Sequence, residues 1–586
     1  MPFAPPFVLL DDARPDGAPA RLYRAPVRVI EAQEPVEVRP ALDALRSARD
    51  RGLHAAGFLA YEAGAAFEPA VPPEGSDGPL LWFGLFEGWE DIPAALVPAA
   101  LPDSAGAWVG DLAPCIDDET YADRFAAVAE LIRAGDLYQA NLSFRARIPV
   151  QGDPLALYAA LRRSAGAGWG AVVATGERTI LSFSPELFFA LDGRRLTCRP
   201  MKGTARRGGT PAADSAAAAA LARDGKQRAE NLMIVDLIRN DLSRVAVPGS
   251  VEVPELFTVE TYPTVHQMVS AVTAELAPGR DALHMLAAAF PCGSITGAPK
   301  VRAQQALARI EPGPPRGVYT GSIGRLDADG SAQFNVAIRT LVIRDDEALI
   351  GLGSGLVADS NLGEEWDECL AKAAFLGGAR ARFDLIETMA FDPEEGLPLL
   401  ELHLARMKAS AEAFNFAFDR HAARNELQAA TFRLRDPARV RLLLSSGGAV
   451  AIEVGPAPPA PSGPVEVAVA PLPVTPADFR LRHKITGRGF YDQARRRAGA
   501  FEVLFEDADG YLTEGSFTSI FVPRGDQLVT PPLARGLLPG VLRESLLADG
   551  CAVEGELKRA DLRDGFYLGN ALRGLLPAVA SPGAAG

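Results

Sequence analysis

Two lysines stand where amine chemistry is conceivable: Lys202 in RPMKGT and Lys484 in HKITGRGFYDQA. A lysine amine is a nucleophile only when partly neutral, so each would need burial or neighbouring cations to shed its proton. Carboxylates that can act as acid or as cation ligand are Glu186 in SFSPELFF, Glu230 in AENLMIVDLIRND, and Glu365 and Glu368 in EEWDECLAK. Glu368 lies three residues after Glu365 and four before Lys372, so all three can share one helix face. Each residue alone also has an ordinary reading. Lys202 and Lys484 can be solvated lysines, Glu368 and Lys372 a surface ion pair, Arg406 a helix-surface cation and Glu514 a loop acid. Arg339 in AIRT reads as an inward arginine on a strand, costly unless a substrate carboxylate or a structural acid pairs with it. Gly351, Gly353 and Gly355 do not fit G-x-G-x-x-G, because the third glycine is misplaced and no β-α unit surrounds them. Around Ser354 they instead let a carboxylate approach backbone N–H groups.

The elements that must position these residues are partly readable. Up to about residue 110 the pattern is one of short strands and Pro-rich loops. Asp117 or Asp118 can cap a helix whose apolar positions Tyr121, Phe125, Val128 and Ile132 recur at helical spacing, with Gly135 and Asp136 ending it. GERTILSFSPELFFALDGRRLTCRP reads as strands joined by a DG turn, and SAQFNVAIRTLVIRDDEALIGLGSGLVAD as a hairpin turning at RDDEA. The sheet is therefore expected to be antiparallel. The alanine-rich tract 212–222 reads as a solvated helix or mobile loop merging into the helix that carries Glu230. A domain boundary is expected near residue 380, dividing 1–380 from 381–586. GPAPPAPSGP at 455–464 would then link two subdomains of the second half.

Composition narrows the function classes. The chain of 586 residues is too long for one core, and its 48% hydrophobic, 23% charged make-up is that of globular domains. A net charge of -15 argues against a nucleic-acid partner, so an anionic substrate must be held by a few placed cations. The five cysteines have neither disulfide-framework nor metal spacing, no signal peptide is seen, and no apolar run reaches bilayer length. A cytoplasmic protein with reduced thiols and no membrane partner is expected.

SFSPELFF, RPMKGT, AENLMIVDLIRND, FPCGSITGAPK, FNVAIRT, GLGSGLVADS and EEWDECLAK together resemble the chorismate-utilising enzyme family. With lysine at position 202, the likeness is to its aminodeoxychorismate synthase component I branch rather than to anthranilate synthases, which usually carry a small residue there. The resemblance implies that Lys202 adds to the chorismate ring while Glu186 protonates the departing C4 hydroxyl, after which ammonia enters at C4. Glu230, Glu368 and Glu365 would hold Mg²⁺. Thr296, Gly297, Arg339, Gly353, Ser354, Gly355 and Lys372 would bind substrate; this chemistry needs Lys202 partly neutral, which Arg206, Arg207 or a metal could promote. His266 is followed by Gln267 where many members have histidine, so no role is assigned to it. No G-x-C-x-G elbow is present, and the resemblance implies a separate glutamine amidotransferase subunit as the ammonia source.

From about 384 to 580 the sequence resembles class IV, fold-type IV pyridoxal-phosphate (PLP) enzymes, the group that includes aminodeoxychorismate lyase. The resemblance implies that Lys484 forms the Schiff base, that Glu514 faces the pyridine nitrogen, and that Arg406 with Gly540 and Val541 holds the phosphate. Leu542 and Ala571 stand where members often have hydroxyl side chains. The expected fold is α+β, a β-sandwich with surrounding helices followed by a two-subdomain PLP domain. The expected activity is amination of chorismate to 4-amino-4-deoxychorismate, then pyruvate elimination to 4-aminobenzoate for folate. Anthranilate formation in the first half, and an aminotransferase or a silent dimerisation module in the second, remain open, as does a homodimer through the PLP domain.

Overall fold

The computed structural model describes residues 3–73, 75–262 and 265–581. Two compact units divide the chain. The first comprises Met1–Leu101, Asp111–Ile148 and Tyr158–Gly378. The second comprises Pro102–Gly110, Pro149–Leu157 and Ala379–Gly586, so two short segments of the N-terminal half belong to it.

The first unit is built on an eleven-stranded and a ten-stranded sheet. Residues from both, including Val8, Tyr23, Val173 and Ile180 from one and Phe58, Trp82 and Ile323 from the other, share one apolar cluster, so the sheets pack face to face. The outer face of the ten-stranded sheet is covered by helices Pro35–Arg49, Gly225–Ser243 and Ala282–Ala289 through a second cluster. Helix Pro35–Arg49 was not anticipated, because Pro35 and Pro40 read as loop. Pro35 sits in the first turn, where a missing N–H costs nothing, and Pro40 is accommodated inside the helix.

Helix Asp118–Arg133 follows the periodic pattern, with the Asp117 side chain accepting from Thr120 N–H. The alanine-rich tract does not merge into the Glu230 helix. It forms its own helix, Pro211–Arg223, and Asp224 breaks the chain by leaving helical ψ and capping Gly225–Ser243 through Gln227 N–H. Thr340–Arg344 and Glu347–Leu356 form the expected antiparallel hairpin, but Ala332–Asn335 pairs in the other sheet. The chain crosses between sheets at 336–339, which places Arg339 in a connection at φ 50° rather than on a strand.

The second unit contains a three-stranded antiparallel sheet (Leu385–Phe391, Ala438–Leu444, Val450–Pro456) and a mixed eight-stranded sheet. The Pro-rich stretch at 455–464 connects the last strand of the first to Val465–Pro471 in the second. Separate cores, one around Phe414 and Leu442 and one around Val467 and Leu568, underlie the two sheets.

Candidate functional site

In the first unit, one end of each sheet supplies the site. Lys202 lies on the terminal strand Met201–Arg206 of the ten-stranded sheet. Gly297–Ala298, Gln139–Gly152 and Glu347–Leu356 are the three consecutive strands at one end of the other. The glycines of Glu347–Leu356 share a face by two-residue alternation, and each meets a neighbour that a Cβ would strike. A Cβ on Gly351 would fall 2.1 Å from the Tyr319 ring, and one on Gly353 2.5 Å from Ser143 Oγ. On Gly355 it would fall 2.3 Å from Gln139 Nε2 and 2.9 Å from Lys202 Nζ. The glycine strip thus accommodates the protein's own side chains, Lys202 among them.

Burial lowers the Lys202 pKa, and Lys372 lowers it further against the opposing pull of Glu230, Glu186 and Glu368. The neighbouring cation is Lys372, not Arg206 or Arg207. Arg207 is bound to Asp214 through Nε and Nη2, both at 2.7 Å, and Arg206 is exposed. Lys372 caps helix Leu362–Ala371, with Nζ 2.7 Å from Gly353 O and 2.8 Å from Glu368. Glu186 is buried, and burial pushes its carboxyl up to about 7 although Ser294 Oγ donates to Oε1 at 2.7 Å and Lys202 lies near. It can therefore hold a proton at neutral pH.

Lys202, Glu186, Glu230, Glu368 and Lys372 thus form one electrostatic group. Arg339 stands apart from it: burial lowers its pKa, and the neighbouring group acting on it is Tyr262. Thr296 is buried, with Oγ1 donating to Cys292 O at 2.8 Å, and Gly297 sits at φ 143°, where a Cβ would strike Gln139 O at 2.4 Å. Ser354 is buried on the glycine strand. His266 bridges Asp214 (2.9 Å) and Thr261 (3.0 Å), a packing role. Gln267 was passed over, yet its Nε2 donates to Gly203 O at 2.9 Å and its Oε1 accepts from Thr204 Oγ1 at 3.0 Å, bracing the Lys202 strand. Gln139 and Asn231 were also missed. They carry no titratable signal, and only the fold brings them to Lys202.

Among the described residues no three or more His, Cys, Asp and Glu side chains converge to hold a metal on their own. Burial raises the Glu230 pKa, and Glu365 and Glu368 raise it further against Lys202 and Lys226. Glu365 accepts from Ser360 Oγ at 2.6 Å. Glu368 is meanwhile paired with Lys372 at 2.8 Å, so the three carboxylates do not close into a ligand cluster; as oxygen donors that leave positions to water and substrate oxygens, they have the chemistry that Mg²⁺ takes.

In the second unit, Lys484 follows helix Phe479–Arg482, and its carbonyl accepts from Ile386 N–H at 2.9 Å. Burial lowers its pKa to about 7, helped by Arg406 and Arg488 and opposed by Glu387. Arg406 is held by Glu387 through Nε (2.8 Å) and Nη2 (2.6 Å), and its Nη1 donates to Pro539 O at 2.9 Å. Next to Pro539, Gly540 begins helix Val541–Ala548 without any side-chain cap, leaving first-turn N–H groups open to an anion. His403 Nδ1 lies 2.6 Å from Glu387 Oε2, while its buried Nε2 has no partner. Glu514 is buried, accepting from Leu538 N–H at 3.1 Å and from Tyr491 OH, with Arg488 at 3.4 Å. A guanidinium beside an uncapped helix start, an orphaned imidazole nitrogen, a lysine near neutrality and an enclosed carboxylate fit PLP. Glu387 and His403 were missed. The i, i+3 spacing of His403 and Arg406 on one helix was the available signal.

Comparison with known proteins accords with this layout. Residues 6–377 match the chorismate binding enzyme family and residues 384–580 the amino-transferase class IV family. The chain is 44% identical to aminodeoxychorismate synthase component 1 of Salmonella typhimurium over 266 residues, covering 45% of this chain and 58% of that protein. It is 36% identical to anthranilate synthase component 1 of Methanothermobacter marburgensis, covering 55% and 73% respectively. The crystal structure of anthranilate synthase component I from Streptococcus pneumoniae superposes with a TM-score of 0.54 at 26% identity, over 62% of this chain and 92% of that one. The chain thus spans little more than half the length of the Salmonella relative, 58%.

Proposed function

The chain belongs to the chorismate binding enzyme family, and from that premise we propose that it makes 4-aminobenzoate in two steps, one in each unit. The observation that carries the first step is the placement of Lys202 Nζ against Gly355, beside Lys372 and within the field of Glu186. Lys202 adds to the ring carbon next to the carboxylate-bearing carbon, both ring double bonds shift by one position, and the C4 hydroxyl departs as water with the proton of Glu186. Ammonia bonds to C4 and Lys202 is expelled, giving 4-amino-4-deoxychorismate. Lys372 offers a cation for a substrate carboxylate. Glu230, Glu365 and Glu368 would hold Mg²⁺, which supplies neutralising charge for the ring carboxylate. A glutamine amidotransferase partner delivers the ammonia, since FPCGSITGAPK and the other cysteine-bearing stretches have no nucleophile elbow.

In the second unit Arg406 and the backbone at Gly540 and Val541 would hold the PLP phosphate, and Glu514 would face the pyridine nitrogen. PLP supplies an electron sink. Lys484, whose pKa of about 7 leaves a free amine available, removes the proton at the amine-bearing ring carbon. Proton return to the enolpyruvyl methylene lets pyruvate leave and the ring become aromatic. The product serves folate synthesis. Five unpaired cysteines suit the reducing cytoplasm, the setting proposed here; among the described residues no helix is long and apolar enough to cross a membrane.

The test is to supply the purified chain with chorismate, Mg²⁺, PLP and ammonium and to separate the products. The expected result is 4-aminobenzoate with equimolar pyruvate, abolished in Lys202→Ala and stalled at 4-amino-4-deoxychorismate in Lys484→Ala. Anthranilate as product would overturn the role of Lys202, and transamination of an amino acid would overturn the lyase assignment.

A further inference from the structure

The second unit contains two segments that its class IV match, residues 384–580, does not include. Pro102–Gly110 and Pro149–Leu157 pair with each other as short antiparallel strands, Trp108 facing Gln151. Their side chains then run toward Lys484. Trp108 is buried, in the same core as Phe479 and Ile485. Its ring meets Phe414 edge-on at 5.0 Å, and Phe414 in turn touches His483 at 4.6 Å and Phe479 at 5.6 Å. Lys484 is the next residue after His483.

Polar contacts reinforce the same path. Asp478 caps helix Phe479–Arg482 by accepting from Arg480 N–H, and the Arg480 guanidinium is shared between Asp478 (2.6 Å) and Asp103 (2.7 Å). Thr475 Oγ1 donates to Asp153 Oδ2 at 2.8 Å. Gly106 lies so close that a Cβ there would be 2.8 Å from Asp478 Oδ2. Each of these contacts falls on the ten residues that lead into Lys484 or on the aromatic ring that packs beneath them.

We propose that Trp108 and Asp103 are positioning residues for Lys484, so that the segment delivering the PLP lysine is held in place by residues from the chorismate-binding half of the sequence. This rests on the reading of Lys484 as the PLP lysine, but the bracing is measurable without PLP.

The experiment uses the full chain carrying Trp108→Ala, Trp108→Phe and Asp103→Ala. Amide hydrogen exchange across 478–486 is followed without PLP, and PLP attachment at Lys484 is quantified by borohydride reduction and peptide mass spectrometry. In Trp108→Ala, exchange at 478–486 is expected to speed up about tenfold and PLP affinity to fall by a similar factor, with Trp108→Phe restoring most of both. Asp103→Ala, at a half-exposed site, should give a smaller change of the same sign, and it decides the matter if Trp108→Ala fails to fold. Strands 566–580 should exchange as in the parent. Unchanged exchange at 478–486 in both alanine variants would overturn the proposal. A parent chain that attaches no PLP at Lys484 would instead sink the reading of Lys484, leaving the exchange result to decide the bracing.

Discussion

Glu186 shows how burial converts an ordinary carboxyl into an acid suited to neutral pH. Its pKa stands near 7 in the folded protein against about 4.3 in an unfolded chain. The proton it donates is therefore present below pH 7 and lost above it. Measured at constant free ammonia, and over the pH range in which Lys202 is already neutral, chorismate consumption should fall about tenfold per pH unit above that point. The same shift enters stability with a definite sign. A carboxyl whose folded pKa is raised costs nothing below its unfolded value and destabilises progressively as pH rises through about 7. Glu186→Gln should thus be inactive yet more stable than the parent at pH 8, on the order of 1–3 kcal/mol, with that gain gone at about pH 3, below the unfolded value; urea titrations at both pH values would show it. Residue types and spacing made Lys202, Glu186 and the Glu365–Glu368–Lys372 helix face legible. They could not reveal that Lys372 is the cation beside Lys202, because sheet ends distant in sequence meet only in the fold.

At the level of elements, the glycine strand Glu347–Leu356 receives the Lys202 side chain and the strand Leu512–Gly515 carries Glu514. Gly355→Ala would drive a methyl into Gln139 and Lys202. A displacement of about 1 Å should cost roughly a hundredfold in amination with PLP attachment unchanged, a split that product assays and absorbance together would reveal. Glu502 accepts from Val503, Ser516 and Phe517 N–H and from the Ser516 and Thr518 hydroxyls, organising the turn that follows Glu514. Glu502→Ala leaves those buried donors unpaired, and a loss of about 3 kcal/mol or more is expected by urea unfolding of the second unit. Alternating strands and the capped helix at Asp118–Arg133 were readable because local pattern sets them. Helix Pro35–Arg49 was hidden by its prolines, and the break at Asp224 by helix-favouring residues on both sides of it, the alanine run before and KQRAENLM after. Arg339 misled for a different reason: its apolar flanks alternate as in a strand while the chain is passing from one sheet to the other.

On the scale of the whole molecule, the two units should respond to different ligands. PLP at a hundredfold excess over its dissociation constant should stabilise the second unit by about 2.7 kcal/mol, and Lys484→Ala should remove most of that gain; calorimetric scans with and without PLP provide the check. Nothing in composition or periodicity marks Pro102–Gly110 and Pro149–Leu157 as belonging with residues after 378, because membership of a core is decided by packing partners and not by order along the chain. That interleaving matters to anyone building chimeras. A graft cut once near residue 380 would carry Phe414 and Arg480 into a new host while leaving Trp108 and Asp103 behind. A transplantable second unit has three pieces, and a library of crossovers should tolerate joints that keep all three from one parent far better than a single joint that parts them.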